Sequence, residues 1–104
     1  MDPHRIGLAR SLAYHRVVAE RLDQATIDAA RALVARWIAE GRAVPYVERW
    51  RALLDGPRDL LIKEMTASDE EAATLRSCSP FAGALDAKER WRLWAAVRAE
   101  LESP

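Results

Sequence analysis

The chain is predicted to be an all-α protein, with about six helices in a bundle-like or orthogonal arrangement and a single domain over residues 1–104. Apolar residues recur at helical spacing through most of the sequence. Runs of β-branched residues and alternating stretches, which would indicate strands, do not occur. Most glycines and prolines fall between the periodic segments and mark their ends. A chain of 104 residues is long enough to bury a core without a metal ion or a disulfide.

The first helix is predicted over residues 3–22. Asp2 suits the N-cap position and Pro3 the first helical position. This helix is apolar on two sides, one with Ile6, Ala9, Ala13 and Val17, the other with Leu8, Leu12, Val18 and Leu22. Such a helix is either central in its fold or shared with another chain. Leu8 and Leu12 are therefore candidate contacts for a partner.

Four more helices are predicted between residues 25 and 76. Gly41 ends the second helix as a left-handed cap, and Pro45 opens the third. A capping box of Ser68 and Glu71 opens the fifth helix. The predicted ranges are residues 25–40, residues 45–54, residues 57–65 and residues 69–76.

The sixth helix is predicted over residues 87–102, opened by a capping box of Asp86 and Glu89. Its apolar stripe is broad and contains Trp91, Leu93, Trp94, Val97 and Leu101. The two tryptophans belong either to the core or to an interface. Arg90 and Arg98 project inside the stripe, so they must pair with the acidic run 69–71 or lie at the rim of an interface. Tryptophan beside arginine is typical of binding hot spots.

The segment 79–85, called the connector below, joins the last two helices and is unusually apolar. Loops are normally polar because their backbone faces water. Two interpretations of Phe81 and Leu85 stay open at this stage. Either they fill a gap between helices, with Leu85 as a hydrophobic staple before Asp86, or they form an exposed docking element.

The charges of the chain balance, with 16 basic and 16 acidic side chains. Proteins that bind nucleic acid usually carry a basic excess, so this class is disfavoured. The N-terminal half does hold nine arginines against six acids. An alternative hypothesis is therefore a DNA-binding regulator that uses an arginine face. Its candidate residues are Arg10, Arg21, Arg31 and Arg36.

Catalytic, cofactor and metal sites are not predicted. The chain has no phosphate loop, no dinucleotide fingerprint and no HExxH motif. Cys78, His4 and His15 lack the close spacing of zinc ligands, and nothing in the sequence orients a histidine toward Cys78. A single cysteine and an N-terminus without a long apolar run favour a cytoplasmic protein that does not enter a membrane.

Three strings in the chain are Ala13-Tyr14-His15-Arg16, Ser79-Pro80-Phe81-Ala82-Gly83, and Glu89-Arg90-Trp91 followed by Trp94. Together they resemble a type of small helical bacterial protein of unassigned function. Such proteins are similar to the small partners encoded beside toxins in toxin–antitoxin pairs. The resemblance implies a non-enzymatic neutraliser that grips a toxin through its helices. The chain departs from most antitoxins because it lacks a clear DNA-binding half and a disordered tail, so autoregulation is not implied.

These observations favour a protein–protein interaction module whose partner is a toxin-like protein or a second copy of the chain. The apolar sides of the first helix, the connector and the tryptophan–arginine face supply the expected contacts. The predicted partner-binding residues are Phe81, Leu85, Arg90, Trp91, Trp94, Arg98, Leu8 and Leu12.

Overall fold

The helices begin and end close to the positions that the capping signals predict. A computed structural model describes residues 2–42 and 45–103, and within these residues it contains helices and no strands. The all-α class is thus confirmed. The helices are α1 (Pro3–Glu20), α2 (Gln24–Ala39), α3 (Val47–Asp55), α4 (Arg58–Thr66), α5 (Glu70–Arg76) and α6 (Ala87–Glu102).

Two of the three predicted N-caps are confirmed. The Asp2 carboxylate accepts a hydrogen bond from the His4 backbone N–H at 3.0 Å, and the Asp86 carboxylate accepts one from the Glu89 N–H at 2.8 Å. The predicted Ser68 box is wrong, because α5 begins one residue later with Asp69 as its N-cap and no side-chain cap. Acidic residues in the first turn of α5 favour this start through the helix dipole.

Among the described residues between α2 and α3, two have left-handed backbone. Gly41 has φ 66° and ends α2 as predicted, with the Arg42 N–H bonded to the Trp37 carbonyl at 2.9 Å. Tyr46 has φ 64° and precedes the first residue of α3. Helix α3 therefore starts at Val47, two residues after the predicted opening at Pro45.

Helix α1 is central in the fold. Of the two interpretations of its double apolar face, the structure thus supports the central helix. It contacts α4, α5 and α6, whereas α2 packs mainly on α3. Helix α6 runs antiparallel to α1. Arg21 near the end of α1 pairs with Glu89 at the start of α6, and Ile6 lines a groove with Leu101 at the opposite end.

The core draws buried side chains from α1 to α5 and from the connector. Trp50 is fully buried there, and its indole N–H donates to the Leu75 carbonyl at 3.0 Å. Arg76 is only 5% exposed, and its guanidinium donates to the Ala67 carbonyl at 2.5 Å, just beyond α4. A cation at a helix C-terminus satisfies carbonyls that lack a partner within the helix, so Arg76 joins α5 to α4.

Replacement of Asp86 by alanine should lower the free energy of unfolding by about 1 kcal/mol, because the Glu89 N–H loses its acceptor. Asp69→Ala is the matched control, since Asp69 also occupies an N-cap position but its side chain accepts no hydrogen bond from the helix backbone. Urea denaturation would measure both variants. Equal losses for the two would mean that the Asp86 cap adds nothing beyond the helix dipole.

Candidate functional site

The large apolar side chains of the connector are packed inside the fold, whereas residues 82–84 are exposed. Phe81 is 2% exposed, and its ring makes edge-to-face contacts with Trp50 and His15 at centroid distances of 5.8 and 6.4 Å. Leu85 is also buried. The packing interpretation is therefore correct for this structure, and the exposed docking element is not. Phe81 and Leu85 belong to the core and are not available to a partner while the connector stays in place.

The Tyr14 side chain explains how an apolar loop can be buried. Its hydroxyl lies 2.6 Å from the Phe81 carbonyl oxygen and 3.1 Å from that of Ala82, and it accepts the Leu85 N–H at 3.3 Å. Buried backbone groups must find partners, and here one side chain of α1 supplies them. The bonding of the connector backbone by Tyr14 was not predicted. The sequence shows only a tyrosine on the first helix, which the structure places at the centre of the fold.

The His15 side chain forms a second polar contact with the connector. Its Nδ1 lies 2.7 Å from the Ser11 carbonyl oxygen, which can only accept, so Nδ1 carries the proton. In the neutral ring Nε2 then accepts from the Ser79 hydroxyl at 2.7 Å. The Ser79 oxygen in turn accepts the Phe81 N–H at 3.1 Å. In a protonated ring Nε2 would instead donate to the Ser79 oxygen, so the direction of this bond depends on the charge of His15.

A serine hydroxyl hydrogen-bonded to an oriented histidine is also a feature of activated nucleophiles. In this protein the His15 ring is 4% exposed and packs against Phe81, so a substrate would have to displace the connector to reach it. The Ser79 oxygen is already bonded to the backbone of its own loop. We interpret the pair as part of the packing of the connector.

The outer side of α6 carries the two tryptophans in different environments. Trp94 is half-buried, with its ring 6.3 Å from Tyr14 and the Arg10 guanidinium 5.6 Å from the ring centre. An arginine at this distance over an indole makes a favourable cation–π contact. Trp94 thus belongs partly to the core, and Arg10 covers it.

Trp91 is 75% exposed, by far the most exposed large apolar side chain among the residues that the structure describes. Helical spacing places Ala87 and Ala95 one turn away on either side, and both are exposed. Arg98 lies two turns after Trp91 and is bonded to Glu102 at 3.2 Å. We call the surface formed by Ala87, Lys88, Trp91, Ala95 and Arg98 the Trp91 patch.

The arginines within the apolar stripe do not pair with the acidic run at the start of α5. Arg98 uses Glu102 of its own helix. Arg90 is half-buried and forms no ion pair with the residues that the structure describes. Of the two predicted alternatives, the position at the rim of a surface therefore fits these side chains.

Leu8 and Leu12 lie on a different side of α1 from α6. Leu12 is seven residues before Ala19, so both share one face, and Ala19 lines a groove with Ile62 of α4. Leu8 is one turn earlier on that face and is partly exposed. The structure therefore does not combine these leucines with Trp91 in one surface.

The N-terminal arginines are largely engaged within the protein. Arg10 lies over Trp94, and Arg21 pairs with Glu89. Arg31 donates to the Leu54 carbonyl at 2.7 Å and also lies near the carboxylates of Asp28 and Asp55. Arg36 is exposed. A continuous arginine face for DNA is therefore not assembled by these four side chains.

A shallow apolar groove lies between α2 and α3. Buried Val34 and Leu54 form its floor and the partly exposed Ile38 its edge. Arg31 at its border is held by Asp55, so the groove lacks a cation free to orient a ligand on that side.

Comparisons with protein-family models, with curated proteins and with solved structures found no match for this chain. None of the helices in residues 2–42 and 45–103 combines the length and the apolar character needed to cross a membrane.

Tyr14→Phe should lower the free energy of unfolding by about 2 kcal/mol, because the buried Leu85 N–H loses its acceptor and the Phe81 carbonyl keeps only the Ala84 N–H as a donor. Tyr46→Phe is the matched control, because the Tyr46 side chain is 43% exposed. Its effect should stay within about 0.5 kcal/mol. Chemical denaturation would compare them, and a Tyr14 variant as stable as the control would show that the hydroxyl is dispensable.

Acid should destabilise the protein through His15. Burial, reinforced by the nearby Arg76 charge and opposed by the hydrogen bond to Ser11, lowers the pKa of His15 from 6.5 to about 4. Between pH 6.5 and 4 the unfolded chain binds a proton at His15 that the folded chain does not. The contribution of His15 to the free energy of unfolding is therefore complete above pH 6.5 and is lost as the pH falls toward 4. The loss should reach about 3 kcal/mol.

Urea denaturation across this pH range would compare wild type with His15→Gln and with His4→Gln, whose side chain is exposed. The His15 variant should lose part of the pH dependence, and the His4 variant should keep it. Parallel pH profiles for wild type and His15→Gln would contradict the assignment.

Proposed function

We propose that this protein is a non-enzymatic interaction module that binds a protein partner through the Trp91 patch on α6. The observation that carries the proposal is the 75% exposure of Trp91. An indole buries up to about 250 Å² when it is covered, and tryptophan is enriched at the centres of interfaces. The alanines on either side of Trp91 leave room for a partner to approach the helix closely.

The Trp91 patch is supported from beneath. Trp94 and Arg10 hold this part of α6 against Tyr14 of α1. The helix is anchored at its start by the Asp86 cap and by the pair between Glu89 and Arg21. A rigid aromatic side chain on an anchored helix loses little conformational entropy when it binds.

The proposed partner contacts are Arg90, Trp91, Trp94 and Arg98. Of the other predicted contacts, Phe81 and Leu85 are in the core, and Leu8 and Leu12 lie on a different surface. Trp91 would provide most of the buried area and Arg98 the orientation, with Trp94 and Arg90 at the edge. The expected partner is a cytosolic protein, and neutralisation of a toxin is the role that the resemblance described above supports. DNA binding is the weaker proposal, since Arg21 and Arg31 are occupied by internal ion pairs.

Trp91→Ala should abolish partner binding while the fold stays intact, because the side chain makes few internal contacts. Loss of a central tryptophan typically weakens binding by about 30-fold or more. Affinity capture from native lysate, followed by mass spectrometry, would compare wild type and variant. Circular dichroism and denaturation would verify that both are equally folded.

Leu60→Ala is the matched control, since Leu60 is a 40% exposed apolar side chain on α4, away from α6. It should retain every partner of the wild type. Partners retained by Trp91→Ala but lost with Leu60→Ala would move the binding site to α4. An electrophoretic shift of duplex DNA that weakens steeply with salt would instead favour the DNA-binding alternative.

A further inference from the structure

The Trp91 patch lies in a local excess of positive charge, although the whole chain is neutral. Residues 87–98 contain four cations, Lys88, Arg90, Arg92 and Arg98, and one carboxylate, Glu89. Arg98 is paired with Glu102, so Lys88, Arg90 and Arg92 carry the excess. Glu89 is already paired with Arg21 of α1. Neither Lys88 nor Arg92 forms an ion pair within the residues that the structure describes, and both are exposed.

We propose that the partner presents an acidic segment with an apolar side chain to the Trp91 patch; this inference rests on the function proposed above. The apolar side chain would cover the indole of Trp91. Carboxylates of the partner would pair with Lys88 and Arg92, which lie one turn apart on one side of Trp91. One of these carboxylates would also accept the indole N–H. Complementary charge of this kind directs the encounter and excludes wrong partners.

A second copy of the chain is a poor occupant of the patch. Symmetric dimers bring the same surface of both subunits together. With Trp91 near the two-fold axis, the cations around it would lie close to the cations of the other copy, which costs free energy. The charge of the patch therefore favours a different molecule with acidic groups over a homodimer formed through α6.

Nucleic acid is also a poor occupant, because the cationic stretch is short. Twelve helical residues extend over about 18 Å, and carboxylates follow at both ends. Asp86 lies before the stretch, and Glu100 and Glu102 lie after it. A regular row of phosphates would meet these carboxylates, whereas a short acidic peptide segment fits between them.

A membrane surface would require more apolar area than the patch exposes. Interfacial helices insert a continuous apolar face. In α6 that face is turned inward, with Val97 buried and Leu93 and Trp94 packed against the core. Trp91 remains as the one large apolar side chain of α6 that is mainly exposed in the described structure.

Selection from a library of random peptides tests the proposal directly on the Trp91 patch. Peptides of about 12 residues are long enough to carry one apolar anchor and flanking charges. The library is selected against the wild-type protein and counter-selected against the folded Trp91→Ala variant. Peptides that depend on Trp91 should carry a net negative charge and at least one aromatic or aliphatic residue.

The charge contribution is then measured with one of the enriched peptides. Double charge reversal, Lys88→Glu with Arg92→Glu, should weaken its binding about tenfold and remove most of the salt dependence. The matched control is Arg58→Glu with Lys63→Glu, which changes the net charge equally on exposed positions of α4. The control should bind the peptide nearly as well as wild type.

The outcomes separate the two proposals. Enrichment of neutral or basic peptides that depend on Trp91 would overturn the acidic partner and leave the interaction module standing. A library without any Trp91-dependent peptide would count against both. Tighter binding of single-stranded oligonucleotides or of anionic lipid vesicles than of the enriched peptides would also overturn the acidic protein segment as the occupant.

Discussion

The contact between α1 and the connector is the constraint on which the rest of the molecule depends. An apolar loop can be buried only where its backbone finds hydrogen-bond partners. The Tyr14 hydroxyl bonds the Phe81 carbonyl. The His15 ring bonds the Ser79 hydroxyl, whose oxygen accepts the Phe81 N–H. Phe81 then packs on Trp50, so the same contact connects α1 to the core around α3.

The contact of α6 with α1 determines what α6 can bury. Helix α1 contacts α4, α5 and α6, and the residues of its two apolar sides are at least partly buried except for Leu8, which is 41% exposed. Helix α6 is therefore an outer helix, and Val97 is its one buried residue among those described. The apolar stripe of α6 is wider than the contact of α6 with α1. Trp91 therefore remains in solvent, while Trp94 is partly covered.

This division of α6 links packing to the proposed function. The inner half of the stripe stabilises the fold, and the outer half presents a tryptophan among cations. Because Glu89 is taken by Arg21, the nearest carboxylate does not neutralise the patch. An ion pair that anchors the helix thus also leaves Lys88 and Arg92 available for an acidic partner.

Helical periodicity and the Asp2, Gly41 and Asp86 caps were sufficient to predict the number, order and approximate ends of the helices, because these signals act within a few residues. They could not decide which apolar side chains are buried. Phe81 and Trp91 both looked like binding residues, yet one is in the core and the other in solvent. Burial depends on residues far apart in the chain, here Tyr14 and His15 with the connector, and becomes defined only when the helices pack.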